Sequence, residues 1–105
     1  MTITEVKIIP RQGDDKLKAY VSVTFDNAFI VHNLKIIEGP NGLFVAMPSR
    51  KRRDGTFVDI AHPLNSTMRR EMEERILGEY RRENLLKEFT AMPGVQDRQE
   101  AFETN

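Results

Sequence analysis

A change of hydrophobic period near Ser66 limits the fold of this chain more than any other feature: upstream, apolar residues recur at every second position, and downstream at every fourth. Period two marks half-buried strands, because successive side chains point to opposite faces of a sheet; the longer period marks a helix with one buried stripe. In "ITEVKII", Val6 and Ile8 share a face, and in "LKAYVSVTF", Leu17, Ala19, Val21, Val23 and Phe25 share one. The intervening "PRQGDD" has turn chemistry, so the two stretches form a hairpin. After a second tight-turn signal at Asp26-Asn27, strict alternation in "AFIVHNLKII" puts Phe29, Val31 and Ile37 on one side and Ile30, Leu34 and Ile36 on the other. Apolar residues on both sides predict a strand covered on both faces, by a helix or by a second subunit.

"EGPNG" (38–42) has loop composition, and "LFVAM" (43–47) is a short apolar strand stopped by Pro48. "RDGT" (53–56) predicts a hairpin tip, since Asp-Gly favours turns whose twist matches antiparallel strands, and "TFVDIA" (56–61) returns as a strand closed by Pro63. Phe29, Phe44 and Phe57 lie in apolar neighbourhoods and are assigned to the core rather than to a base-stacking platform. Asn65 or Ser66 then caps a helix in which Met68, Met72, Ile76 and Tyr80, with Leu77 beside them, form the buried stripe. The pattern runs on through Leu85, Leu86 and Phe89 to Pro93-Gly94.

The order β-β-β-β-β-α describes an α+β fold: a mainly antiparallel sheet of about five strands followed by a C-terminal α-helix. At 105 residues, size fits one domain with one modest core, expected over 1–90, with 91–105 as a polar, mobile tail.

Chemistry is bounded mostly by exclusion. There is no cysteine, so disulfides, zinc-thiolate clusters and thiol nucleophiles are out, and a reducing compartment suits the chain. The start, "MTITEVKIIPRQ", lacks a leader pattern, and no apolar run approaches spanning length; the expectation is a cytoplasmic, nucleoid-associated protein without membrane insertion. His32 and His62 belong to no metal-ligand spacing and read as structural. Asp54 and Asp59 flank a short strand and admit a nuclease-type metal site, although Asp54 has an ordinary turn role. No phosphate loop, nucleophile elbow or carboxylate pair can be assembled. No catalytic residue, metal, cofactor or small-molecule substrate is therefore expected.

Net charge is +0, which on its face argues against nucleic acid. The average hides the distribution. Residues 1–49 carry five cations and five anions, residues 50–70 carry six cations against two anions, and residues 71–105 carry five against nine. The positive segment contains Arg50, Lys51, Arg52 and Arg53 at the hairpin and Arg69 and Arg70 in the first helical turn. Adjacent cations repel one another, and cations at a helix N-terminus oppose the macrodipole, whereas a phosphate there is favoured. A polyanion relieves both conflicts. A solvated loop with Arg70 paired to Glu74 at helical spacing is the ordinary alternative.

"NGLFVAMPS", followed after a basic, turn-bearing insertion by "DGTFVDIAHPLNS" and a helix, closely resembles the stage V sporulation protein G (SpoVG, septation regulator) family of small bacterial proteins. The likeness extends upstream through "ITEVKI" and "AFIVHNLKIIEG" and covers about residues 1–82. It implies a homodimer that binds DNA, and in some members RNA, as a regulator of gene expression linked to septation and sporulation. The resemblance puts nucleic-acid contacts at Arg50 and Lys51, the "PSKR"-like basic pair, and at Asn65, Ser66, Thr67 and Arg69, the "NSxxR"-like helix start. Arg52, Arg53 and Arg70 are added from charge alone. Glu71 and Val58 stand where the family often has lysine and arginine, and Arg52-Arg53 stand where it tends toward Thr-Pro, so positive charge is displaced toward the hairpin. The alternative function is a protein-interaction module in cell division that binds no nucleic acid directly.

Overall fold

Short turns fold the alternating stretches into a meander. The strands β1 (Ile3–Pro10), β2 (Leu17–Phe25), β3 (Phe29–Gly39) and β4 (Gly42–Ala46) pair antiparallel in that spatial order. This architecture comes from a computed structural model that describes residues 1–13 and 15–91; the Pro93-Gly94 stop and nearly all of the expected tail lie outside the described residues. Asp26 and Asn27 take φ of 53° and 51°, the mirror-image turn geometry that matches strand twist. The N-terminal strand holds that turn: Thr2 N–H donates to Asp26 Oδ1 at 2.8 Å and Asn27 N–H to Thr4 Oγ1 at 3.0 Å. Gly39 faces Gly42 in register, so "EGPNG" is a tight turn over Pro40 and Asn41 rather than a longer loop. A Cβ on Gly39 would come within 3.0 Å of the Phe44 ring, which lies close over that backbone.

Strict alternation fails in β3. Val21 pairs with Leu34 and Val23 with Val31, so β3 uses one more residue than β2 between these pairs, and Asn33 takes φ 67°. Such a bulge reverses the parity of everything beyond it. Val31, Leu34 and Ile36 consequently share the core side while Ile30 and Ile37 face the other way, which corrects the division read from the sequence.

The helix α1 (Ser66–Ala91) lies across one face and touches the two outer strands, β1 and β4. Met72, Ile76 and Leu77 are buried against Ile3, Ile8, Ala19, Val21, Val23, Phe25, Leu34, Ile36, Val45 and Met47, while Met68 and Tyr80 pack half-buried at the rim. The helix stripe is the one its spacing predicts. With 26 residues, α1 is about 39 Å long and overshoots the sheet, so Leu85, Leu86 and Phe89 remain exposed.

A separate two-stranded sheet, β5 (Ser49–Lys51) and β6 (Phe57–Asp59), precedes the helix. Among the described residues six strands are therefore present where about five were expected, because Pro48 interrupts the ladder and the basic run itself becomes the outgoing strand. "LFVAM" pairs with β3 and not across the Asp-Gly turn. Among the described residues no helix is long and apolar enough to cross a membrane.

Ile76 is fully buried, so Ile76→Ala is expected to lower stability by about 2–5 kcal/mol in chemical denaturation. Leu86→Ala, on the exposed overhang, is expected to change it by less than about 0.5 kcal/mol. Equal effects would contradict this placement of the core.

Candidate nucleic-acid interface

The hairpin ladder pairs Ser49 with Asp59, Arg50 with Val58 and Lys51 with Phe57. Arg52 N–H donates to the Thr56 carbonyl at 2.7 Å, and Gly55 N–H, at φ 91°, donates to the Arg52 carbonyl at 3.1 Å, which closes the tip. Asp54 Oδ1 accepts the Thr56 hydroxyl at 2.6 Å and the Thr56 N–H at 3.0 Å. Those two bonds hold its carboxyl below the ordinary aspartate value. Arg50 and Lys51 thus lie on a strand and Arg52 and Arg53 at the turn, all four exposed.

Asn65 caps the helix, its Oδ1 accepting Met68 N–H at 2.8 Å, so Ser66 and Thr67 are the first two helical residues. Their backbone N–H groups precede the first intrahelical bond and point out of the helix end. The first turn contains no acidic residue; Arg69 is half-buried and Arg70 exposed. The structure brings this end close to the hairpin root. Ile60 N–H donates to the Pro48 carbonyl at 2.7 Å, and one apolar cavity of about 190 Å³ is lined by Met47 and Pro48 from the root, by Ala61, His62 and Pro63, and by Met68 and Met72 from the helix. Both basic groups therefore flank one end of the molecule. Among the described residues, none of the side chains of Arg50, Lys51, Arg52, Arg53, Arg69 and Arg70 forms an ion pair or hydrogen bond, and the Arg70–Glu74 pair is not made. Three cations elsewhere are ion-paired, Arg11 with Asp15, Lys18 with Glu38 and Arg82 with Glu79, the last holding Glu79 below its ordinary value; the unpaired ones among the described residues, Lys7, Lys16, Lys35 and Arg81, are scattered rather than clustered.

The aromatic assignments need correction. Phe57 is 69 % exposed, Phe29 66 % and Phe44 44 %, so none belongs to the core. For Phe57 the reason is its partner: "TFVD" looks apolar alone, but it pairs with "SRK", and among the described residues no second apolar layer covers that ladder. Phe44 lies on the sheet face away from the helix, beside Gly39, and Phe29 at the end of β3 lines the apolar cavity. The signal available in the sequence was that a strand paired to three polar residues has no apolar face to share.

Both histidines hold local structure. His32 Nδ1 and Ser22 Oγ share a hydrogen bond of 2.8 Å, and His62 Nδ1–H donates to the Pro63 carbonyl at 2.9 Å. Asp54 and Asp59 sit at opposite ends of the hairpin, and among the described residues no three His, Asp or Glu side chains converge as a metal site.

The sequence model of the SpoVG family matches residues 1–82. The chain belongs to this family. A relative from Anaeromyxobacter dehalogenans, named "Putative septation protein SpoVG", is 55% identical over 93 residues, covering 89% of each chain. One of the same name from Clostridium kluyveri is 58% identical over 80 residues, 76% of this chain and 83% of the relative, and one from Myxococcus xanthus is 55% identical over 82 residues, 78% and 82%. The SpoVG match takes in the whole sheet, the basic hairpin and the helix as far as Arg82, and stops before the exposed overhang.

Two local features can be tested in this SpoVG chain. Asn65→Ala removes the cap and is expected to cost about 1 kcal/mol in denaturant unfolding, with Asn65→Gly costing only a few tenths. Because Asp54 is more acidic when folded, its contribution to the hairpin is present above pH 3.8 and disappears as pH falls through the lowered value. The Thr56 amide resonance should titrate with a midpoint below 3.8, and the transition should vanish in Asp54→Asn.

Proposed function

We propose that this SpoVG-family chain is a homodimeric nucleic-acid-binding regulator without catalytic activity, acting in the septation process that its relatives' name describes. The observation that carries this reading is the set of six unpaired cations around the hairpin and the helix start. Side chains that have no internal anion are free to neutralise phosphates without first breaking a bond. Arg50, Lys51, Arg52 and Arg53 engage backbone phosphates, Arg69 and Arg70 add to the same positive end, and the N–H groups and hydroxyls of Ser66 and Thr67 accept the role of donors to phosphate or a base edge. Asn65 serves mainly by holding the helix end open, since its oxygen is committed to the cap.

Dimerisation is the second element of the proposal. The sheet face away from the helix carries Ile9, Ile30, Ile37, Phe44 and Ala46, of which Ile9, Ile30 and Phe44 are exposed. Lys7 and Lys35 stand there against Glu5, a low net charge suited to a second copy of the same face. Two copies double the basic surface. Light scattering at micromolar concentration should give twice the chain mass, and Phe44→Lys should return it to one; a monomeric parent protein would remove this element.

If about five phosphates are contacted per dimer, log K for duplex DNA should fall with log salt at a slope of about −4.5. Fluorescence anisotropy of the parent against a variant with Arg50, Lys51, Arg52 and Arg53 all changed to Ala should show this binding lost. A flat salt response, or equal binding by the variant, would refute the phosphate assignment. The alternative, a protein-docking module in cell division, is favoured by exposed Phe57, Ile60 and Leu64 next to the cations. It predicts that unrelated DNA fails to displace a partner from the hairpin.

A further inference from the structure

We infer that Phe57 is a stacking platform for an unpaired base, making the hairpin a reader of single-stranded nucleic acid. This rests on the phosphate-binding reading above and names the kind of strand that site prefers. The β5–β6 pair consists of two three-residue strands, and Phe57 stands directly opposite Lys51 in the ladder. Residues directly opposite in an antiparallel pair project from the same face. Phe57 therefore projects from the same face of the ladder as Lys51, one step from Arg52 and the turn that carries Arg53.

Burial distinguishes this ring from a stray surface aromatic. At 69 % exposure Phe57 is the most open phenylalanine of the described residues, and it sits in the segment with the greatest density of unpaired cations. Single-strand binders combine those two elements: a cationic track for the phosphates and an aromatic ring against which successive bases stack. A duplex keeps its bases stacked on one another, so the ring has nothing to offer it beyond ordinary contact. Charge also sets the direction of the strand. Asp59 lies on the same face as Phe57, two residues toward the hairpin root, and repels phosphate there; Arg52 and Arg53 lie toward the tip and attract it. The sugar-phosphate backbone accordingly runs over the tip, and the base turns inward onto Phe57.

The test uses the full chain and three probes: a short oligothymidine, the matching oligouridine and a mixed-sequence duplex. Phe57→Ala and Phe57→Leu should each bind both single strands about 5- to 150-fold more weakly, the loss of one stacked base, and should bind the duplex as the parent does. The leucine variant keeps apolar bulk against Lys51, so a comparable loss there assigns the effect to the ring rather than to hairpin collapse. Neither variant removes a charge, so the single-strand salt slope should stay at its parent value, whereas Lys51→Ala should flatten it by about 0.7. In Phe57→Trp, indole fluorescence should be quenched on adding oligothymidine. Unchanged single-strand binding by Phe57→Leu, an equal loss on duplex, or a loss that tracks a change of oligomeric state would each overturn the inference while leaving phosphate binding intact. A parent protein that binds none of the three probes would instead overturn the reading on which it rests.

Discussion

The positive end of this molecule depends on the docking of Met72, Ile76 and Leu77 against the sheet. A hairpin of two three-residue strands is not stable alone in water, and the first turn of a helix has no fixed direction until its later turns are packed. Ile76, buried against the strands, fixes the axis of α1, and through it the position of Asn65 and the open N–H groups that follow. From the other side, the Ile60 to Pro48 hydrogen bond closes the hairpin root on the end of β4. Two local structures that could not hold their own geometry are thereby held together around one apolar cavity.

Charge is distributed against that frame in an unusual way. Elsewhere Arg11, Lys18 and Arg82 find anions three or four residues away or across a strand, and Glu79 and Arg82 each shift the other's proton affinity toward the charged form. At the hairpin and helix start six cations lie close together in sequence with no ion pair among the described residues, and Asp54, the carboxylate beside Arg53, is engaged by Thr56 instead. The one anion within the basic turn has a structural job that keeps it from neutralising its neighbours. Free cations therefore persist in a chain whose total charge is +0.

Much of this was legible in the sequence, and the failures share a cause. The helix stripe through Met68, Met72, Ile76 and Tyr80, the turn at Asp26-Asn27, and the basic hairpin tip at Asp54-Gly55 all follow from local period or turn chemistry, and all are present. What local patterns could not supply was pairing. The bulge at His32 and Asn33 has no strong signature, yet it moves Val31 to the side of Leu34 and Ile36. Likewise Phe57 looked like core because its own strand is apolar, whereas its environment is set by the strand opposite, which carries Arg50 and Lys51. The nine candidate residues at the positive end were identifiable from charge, capping position and family likeness; the exposed ring among them was not.

The most direct test of the central claim is an amide chemical-shift titration of the isotope-labelled chain with a short oligonucleotide, mapped on the sequence. The account predicts salt-sensitive shifts concentrated from Arg50 to Phe57 and at Ser66, Thr67 and Arg69, with the resonances of Tyr20, Lys35 and Ala46 on the far sheet face unmoved. Shifts centred on that sheet face, with the hairpin and helix start unchanged, would contradict it.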